Sequence, residues 1–239
     1  MSETIDAVVA GHICLDITPE IRPGGEPAAE FFRPGTLLAV GPATISTGGP
    51  VSNTGFPLRR LGLDVRLMGK CGDDVFGRAI VDCIRAEAPG AEAGMQVVPG
   101  EQTSYTVVIN PPGSDRMFLH CPGANDTFGA DDVDADIVAG CRLIHFGYPP
   151  LMARTYADGG AELVRIFADA HDAGATTSLD MAYPDPSTPA GKVDWAGILG
   201  KLLRHVDVFT PSAEELTFML RRKKFDALNE QAAGGEMLP

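Results

Sequence analysis

Short runs of apolar, β-branched residues alternate along the chain with longer segments of helical periodicity. The first run, IDAVVAG at 5–11, closes on a glycine, as expected for a strand buried on both faces of a parallel sheet. The same pattern returns at 142–147, 176–180 and 206–210. These four segments are the predicted strands of one central sheet.

The segments between these strands have helical spacing. In 153–173 the apolar residues from Leu163 to Ala170 share one face, and 195–203 and 214–220 follow the same rule. Strand and helix in alternation favour right-handed βαβ units, so we predict an α/β fold with a doubly wound, mostly parallel sheet and helices on both faces. Ligands on such a sheet collect where the strands end.

Two segments, at about 31–47 and 96–121, depart from this rhythm. They hold short alternating runs separated by Pro and Gly, which is typical of antiparallel strands. We predict that they form a small β-sheet that projects from the α/β body as a lid. The expected strands lie at 36–40, 105–109 and 116–120, with a turn at 110–115.

Composition narrows the class of protein. The 239 residues are 44% hydrophobic and 21% charged, which fits one globular domain, and the formal net charge is −13. An excess of acidic residues disfavours nucleic acid as a partner, because phosphate backbones are bound through Lys and Arg. The N-terminus has no basic segment before its first apolar run, and no run approaches ~18 apolar residues, so neither a secretory signal nor a membrane span is predicted.

The five cysteines are widely spaced and form no Cys-x-x-Cys pair. This favours reduced thiols in a cytoplasmic protein, and predicts neither a zinc site nor a disulfide framework.

Asp16 follows the first strand in the run Gly11-His12-Ile13-Cys14-Leu15-Asp16. A carboxylate accepts two hydrogen bonds in fixed geometry, which suits the vicinal hydroxyls of a sugar. The alternative is an Asp in a loop that caps a turn. A Gly-Gly-x-x-x-Asn turn comes next, with Gly48, Gly49 and Asn53, and it could bring backbone and a helix start close to a ligand.

Two later turns have both a structural and a functional interpretation. In Gly-x-x-Gly-Asp-Asp-x-Phe-Gly at 69–77, Asp73 or Asp74 either caps a helix or contacts ligand. After the last predicted strand, Ser212 and Glu215 have the spacing of a capping box, while Glu215 could instead orient water around the Mg²⁺ of a nucleotide.

In their order and spacing, these motifs resemble the ribokinase-like (PfkB) carbohydrate kinases over essentially the whole chain. The motifs are the Asp after the first strand, the Gly-Gly turn, the 69–77 turn, Pro-Gly-Ala-Asn at 122–125 and Thr-Pro-x-x-x-Glu at 210–215. The resemblance implies a ribokinase-like body with a lid, ATP and Mg²⁺ as cofactors, a small-molecule sugar as substrate and a homodimer through the lid, with no nucleic acid and no membrane as partner. Its implied sugar contacts are Asp16, Gly48, Gly49, Asn53 and Tyr148; its implied phosphate and metal region is Asp180, Ser212 and Glu215, with Glu215 tied to the metal.

Some positions depart from the family pattern. Cys14 stands where ribose-specific members carry Asn, Val51 replaces a small residue, and Ser212 replaces the Asn of the metal motif. The family's Asp-Thr-x-Gly-Ala-Gly-Asp segment, which supplies its anion hole and base, is matched only by 126–132. There Asp131 replaces a glycine and the segment precedes the second βα unit, so ordinary capping is favoured over Asp132 as the base.

We therefore expect 1–239 to be one ribokinase-like domain that is C-terminally incomplete, with the base and anion hole beyond residue 239. The predicted function is ATP-dependent phosphoryl transfer to a hydroxyl of a carbohydrate or related polyol. The alternative is a non-catalytic sugar-binding or regulatory protein derived from the same fold. A dinucleotide-dependent oxidoreductase is disfavoured, because no Gly-x-Gly-x-x-Gly follows the first strand.

Overall fold

The strands in the described part of the chain form two separate sheets. The computed structural model describes residues 5–21, 34–35, 37–113 and 115–233. The strands in chain order are β1 (Ile5–Gly11), β2 (Cys14–Pro19), β3 (Ala43–Gly48), β4 (Val65–Gly72), β5 (Met95–Val98), β6 (Tyr105–Ile109), β7 (Met117–Cys121), β8 (Cys141–Gly147), β9 (Thr176–Asp180) and β10 (Val208–Phe209).

Eight α-helices connect or follow these strands within the described residues. They are α1 (Pro50–Arg60), α2 (Val75–Glu87), α3 (Ala135–Ala139), α4 (Ala153–Tyr156), α5 (Ala161–Asp172), α6 (Trp195–Leu202), α7 (Ala213–Leu220) and α8 (Arg222–Ala233). No helix among them is both long enough and apolar enough to cross a membrane.

The larger sheet has six strands in the order β10-β9-β8-β1-β4-β5, and all its pairings are parallel. Alternate residues of β1 face two different apolar clusters. Val8 packs with Phe146 and the residues of α5 and α6 on one side, and Val9 packs with Ile80 and Ile84 of α2 on the other. Because both faces are buried, the sheet is a doubly wound α/β core, as the sequence predicts.

The predicted helix at 153–173 is broken into α4 and α5. Asp158, at φ 51°, interrupts it, and Gly159 and Gly160 follow with positive φ. Left-handed residues in succession end a right-handed helix, so α5 begins only at Ala161. In the segment 126–132, where capping was expected, Asp131 and Asp132 lie in a short 3₁₀ turn, and the cap of the following helix α3 is Asp134.

The smaller sheet is mixed and has the order β3-β2-β6-β7. Strand β2 pairs antiparallel with β3 and parallel with β6, which pairs antiparallel with β7. This sheet corresponds to the predicted lid, with two differences. It includes β2, which was not predicted as a strand, and it lacks residues 96–98, which were expected in the lid but belong to β5 of the larger sheet. Residues 37–40 were expected in a strand and form none, while 22–33 and residue 36 lie outside the described residues.

Candidate functional site

The two sheets join where β1 ends. Gly11 has φ 113°, and a Cβ there would lie 2.7 Å from the carbonyl oxygen of Gly147 at the end of β8. The chain then passes through His12 and Ile13 directly into β2. The Asn125 side chain holds this junction, because its Oδ1 accepts from the Ile13 N–H at 3.3 Å and its Nδ2 donates to the Ile13 carbonyl at 2.9 Å.

Asp16 lies inside β2, so the interpretation of this residue as a turn cap is wrong. Its half-buried carboxylate accepts a hydrogen bond from the Cys14 thiol, with 3.3 Å between Sγ and Oδ1. Burial raises the pKa of the Asp16 carboxyl, and it raises the pKa of the Cys14 thiol to about 12, with the Asp16 charge as a second cause. A Cβ on Gly48 would lie 2.4 Å from Asp16 Oδ2, so this glycine leaves room for the carboxylate.

The Gly-Gly turn packs against the same junction. Gly49, at φ 91°, precedes α1, and a Cβ there would lie 2.5 Å from the His12 carbonyl oxygen. Only glycine combines this backbone conformation with so close an approach. Asn53 lies in the first turns of α1 with its side chain exposed. The structure therefore brings Asp16, Gly48 and Gly49 together and places Asn53 beside them in sequence, on the following helix.

Tyr148 follows β8 in the left-handed conformation, at φ 64°, and its N–H donates to the Asp180 carbonyl at 3.2 Å. Burial raises the pKa of its hydroxyl, and the charges of Asp180, Glu215 and Cys14 raise it further. The Tyr148 ring also lies 6.1 Å from the His12 ring, so Tyr148 lies between the junction that precedes Asp16 and the end of β9. We call Asp16, Gly48, Gly49, Tyr148 and Asp180 the strand-end cluster.

Ser212 and Glu215 form the predicted capping box at the start of α7. The Ser212 hydroxyl accepts from the Glu215 N–H at 3.1 Å, and Glu215 Oε2 accepts from the Ser212 N–H at 2.7 Å. Burial is the main cause that raises the pKa of Asp180, and the charge of Glu215 raises it further. Glu215 therefore interacts with Asp180 as well as with the helix start. The neighbouring carboxylates of Asp180 and Glu215 are a donor set that Mg²⁺ fits, since this ion prefers oxygen ligands.

The Asp132 carboxylate makes structural contacts with both of its oxygens. Its Oδ2 accepts from the Gly129 N–H at 2.8 Å, and its Oδ1 lies 3.4 Å from the Lys70 ammonium, which also pairs with Glu101 at 3.6 Å. Both oxygens thus have partners, which agrees with the capping interpretation of this segment.

Three polar side chains beside the strand-end cluster had no predicted role: His12, Thr106 and His120. The Thr106 hydroxyl lies 3.0 Å from His120 Nδ1 and 3.5 Å from Cys14 Sγ, and the rings of His12 and His120 lie 5.3 Å apart. Burial lowers the pKa of His12 to about 3, with His120 as a second cause. The position of His12 directly after the first strand could have marked it as a candidate site residue. No sequence pattern near His12 or His120 indicates that the two lie close together.

Comparisons with known proteins agree with this geometry. The family model described as pfkB family carbohydrate kinase matches residues 17–238. A curated relative, "Probable fructokinase-4" of Arabidopsis thaliana, is 27% identical over 219 residues, which are 90% of this chain and 62% of that protein. The chain thus spans less than two thirds of the length of the curated relatives it matches first.

Solved structures show the same fold. A fructokinase from Xylella fastidiosa, described with bound ATP, has a TM-score of 0.69 and 21% identity, and the match covers 95% of this chain and 65% of that one. A ribokinase from Arabidopsis thaliana, described as complexed with ribose and ATP, has a TM-score of 0.64 and 16% identity, covering 98% of this chain and 70% of that one.

Proposed function

The chain belongs to the pfkB family of carbohydrate kinases, and we propose that it serves ATP-dependent transfer of a phosphoryl group to a sugar hydroxyl. The proposed acceptor is a ketohexose such as fructose, because the curated relatives it matches first are named fructokinases. The departure at Cys14 from ribose-specific members supports the same choice.

The observation that carries the proposal is the setting of Asp16. Its carboxylate is half-buried, faces the space left by Gly48 and lies at the junction of the lid with the ends of the parallel strands. In this position it would accept hydrogen bonds from adjacent sugar hydroxyls and fix the acceptor. Gly49, Asn53 and Tyr148 are proposed as the remaining sugar contacts.

Asp180 and Glu215, with Ser212 beside them, are the residues proposed to hold Mg²⁺. When bound, this ion would neutralise charge on the transferring phosphate. The residues of this chain would meanwhile orient the sugar and exclude water from it through the lid. None of the described residues is assigned as the base, since both oxygens of Asp132 are occupied in the fold.

Binding and turnover are tested separately, because the chain matches only part of each relative. Calorimetric titration should show saturable binding of fructose, and Asp16→Asn should weaken it by about 10- to 100-fold, the value of a hydrogen bond to a charged group. Asp82→Asn is the matched control, because Asp82 is an exposed carboxylate on α2 that pairs with Arg85 and has no proposed role in binding. Absence of sugar binding by the unsubstituted chain would refute the proposed site.

ADP release with ATP, Mg²⁺ and fructose tests the chemistry. We expect residues 1–239 to transfer phosphate slowly or not at all, and turnover well above background would contradict that expectation. The alternative function, a sugar-binding or regulatory protein, predicts sugar binding that is the same with and without ATP and Mg²⁺. A dependence of sugar affinity on the nucleotide would favour the kinase.

We also propose a homodimer formed through the lid, and a cytoplasmic location. The outer strand β7 is exposed along Met117, Phe118 and Leu119, with Ile45 exposed on β3. The pairings of the small sheet put Leu119 and Ile45 on the same face, and an exposed apolar face is typical of an interface. All five cysteines are free, which favours a reducing compartment, and thiol titration of freshly extracted protein should count five reduced thiols.

A further inference from the structure

We propose that His12, Cys14 and His120 form a binding site for a divalent transition-metal ion, with Zn²⁺ as its occupant, at the junction of the lid and the parallel sheet. One ligand atom from each of these residues lies within 4.8 Å of the other two. His12 follows β1, Cys14 begins β2 and His120 lies on β7. An ion held by all three would join the end of the central sheet to the outer strand of the lid.

The state of His12 is the second observation that points to a ligand. Its side chain is fully buried, and neither ring nitrogen has a hydrogen-bond partner in the part of the chain that the structure describes. Buried polar atoms of native proteins nearly always have a partner, and one without it calls for an explanation such as an ion. A neutral imidazole also has a lone pair available for a metal.

The neighbouring groups are placed as supports for such a site. Thr106 is hydrogen-bonded to His120 Nδ1 at 3.0 Å, and this contact orients the second imidazole. Ligating histidines usually have a partner of this kind on the nitrogen that does not bind metal. The Asp16 carboxylate accepts from the Cys14 thiol, so it lies in position to receive the thiol proton and pass it to solvent as the metal–sulfur bond forms.

The chemistry of the three ligands selects the ion. One thiolate and two imidazoles suit Zn²⁺, whereas Mg²⁺ and Ca²⁺ prefer oxygen donors such as the carboxylates of Asp180 and Glu215. Around tetrahedral zinc, neighbouring N and S ligand atoms are roughly 3.5 Å apart, so atoms within 4.8 Å of one another need to approach by about 1 Å at most. His120 is partly exposed on an edge strand, where a rotation of its side chain can supply this movement.

Cysteine spacing could not reveal this site, because it holds a single cysteine and its third ligand, His120, is far along the chain from Cys14. Only the pairing of β2 with β6, and of β6 with β7, brings the three together.

The test uses the metal alone, so it does not depend on the proposed kinase function. Titration of the purified chain with Zn²⁺ against a chromophoric chelator should show one equivalent bound. Cys14→Ser and His120→Ala should each weaken binding by more than about tenfold. Cys83→Ser is the matched control, because Cys83 lies on α2, outside the cluster, and its removal should change nothing.

Co²⁺ gives a readout of the ligands themselves. The Co²⁺-loaded chain should show a thiolate-to-metal charge-transfer band and the visible spectrum of a tetrahedral ion, and Cys14→Ser should remove the band. Circular dichroism of each variant establishes that it is folded. Absence of stoichiometric binding, binding that Cys14→Ser and His120→Ala leave unchanged, or a Co²⁺ spectrum without a thiolate band would overturn the proposal.

Discussion

Asn125 holds the junction between the two sheets with a single carboxamide. Its oxygen accepts from the Ile13 N–H and its nitrogen donates to the Ile13 carbonyl, and both residues are fully buried. Asn125→Ala would leave both backbone groups without a partner, which should lower the free energy of unfolding by about 2–4 kcal/mol. Asn125→Asp should also destabilise, because a carboxylate cannot donate to the Ile13 carbonyl.

Chemical denaturation of the purified variants measures this effect. Asn110→Ala is the control, because Asn110 is exposed after β6. The assignment of the junction to Asn125 would be wrong if both alanine variants unfolded at the same denaturant concentration as the parent chain.

His145 should make stability depend on pH. It is buried on β8 with Nδ1 3.0 Å from the Ser178 hydroxyl, and burial lowers its pKa below the ordinary value of 6.5. The unfolded chain therefore binds this proton at a pH where the folded chain does not. Stability is fully present above about pH 6.5 and is lost as the pH falls through that value towards the lowered folded pKa.

His145→Asn keeps a polar partner for Ser178 and removes the titrating ring. Thermal melts at pH 7.5 and pH 5.5 should show a smaller loss of Tm on acidification in this variant than in the parent chain. The melt at pH 7.5 separately reports any cost in packing. Equal losses in the two proteins would rule out His145 as a source of the acid sensitivity.

The sequence alone indicates the role of individual residues when their immediate neighbours in the chain form a known pattern. Asp16 could be singled out because a carboxylate follows a strand end, and Ser212 with Glu215 because a capping box is a local pattern. The cluster of His12, Thr106 and His120 could not be predicted, since it depends on which strands pair and in what register.

One side chain, that of Asp74, both caps helix α2 and connects its start to the segment that contains Thr103. The Asp74 carboxylate accepts from the N–H of Gly77 at 2.8 Å, and from the N–H and hydroxyl of Thr103 at 2.8 and 2.7 Å. Asp74→Ala should lower the free energy of unfolding by about 2–4 kcal/mol, since a cap and two further hydrogen bonds are lost together.

Asp73→Ala is the comparison for this prediction. Asp73 is adjacent and equally acidic, but it is exposed and its partner Arg78 lies 3.5 Å away on the surface, so its loss should cost less than about 1 kcal/mol. Urea unfolding of both variants distinguishes the two, and similar losses would contradict the role given to Asp74. From sequence alone, either aspartate could have been the cap.

Elements with strong periodicity were predictable. Strand β9 lies at 176–180 as expected, because its pattern is bounded by turn residues on both sides. Strand β2 was missed because only His12 and Ile13 separate it from β1, and its partners β3 and β6 lie far along the chain. Helix α5 starts later than expected because left-handed residues at 158–160 override the apolar spacing.

For the molecule as a whole, the central sheet could be predicted because its buried strands alternate regularly with amphipathic helices. The lid could be predicted as a sheet, but not its strand order, since short strands with exposed faces specify their register weakly.

The proposed homodimer can be tested by measuring the mass of the protein in solution. Light scattering coupled to size-exclusion chromatography should give twice the chain mass of 25.2 kDa. Leu119→Glu, which puts a charge on the face of the lid that also carries Ile45, should shift the protein to the monomer. Leu61→Glu is the control, because Leu61 is 78% exposed at the end of α1 and should leave the mass unchanged. A parent chain with the mass of one protomer would refute the dimer.

The lid is not a contiguous segment of chain, and this affects how it can move and unfold. Within the described residues, the backbone passes between the body and the small sheet at four places: between β1 and β2, between β3 and α1, between β5 and β6, and after β7. Because the lid is connected to the body at four places, it can tilt as a rigid unit, but it cannot rotate about a single hinge. Nor can it lose its structure while the body keeps its own, so a calorimetric scan should show one cooperative transition.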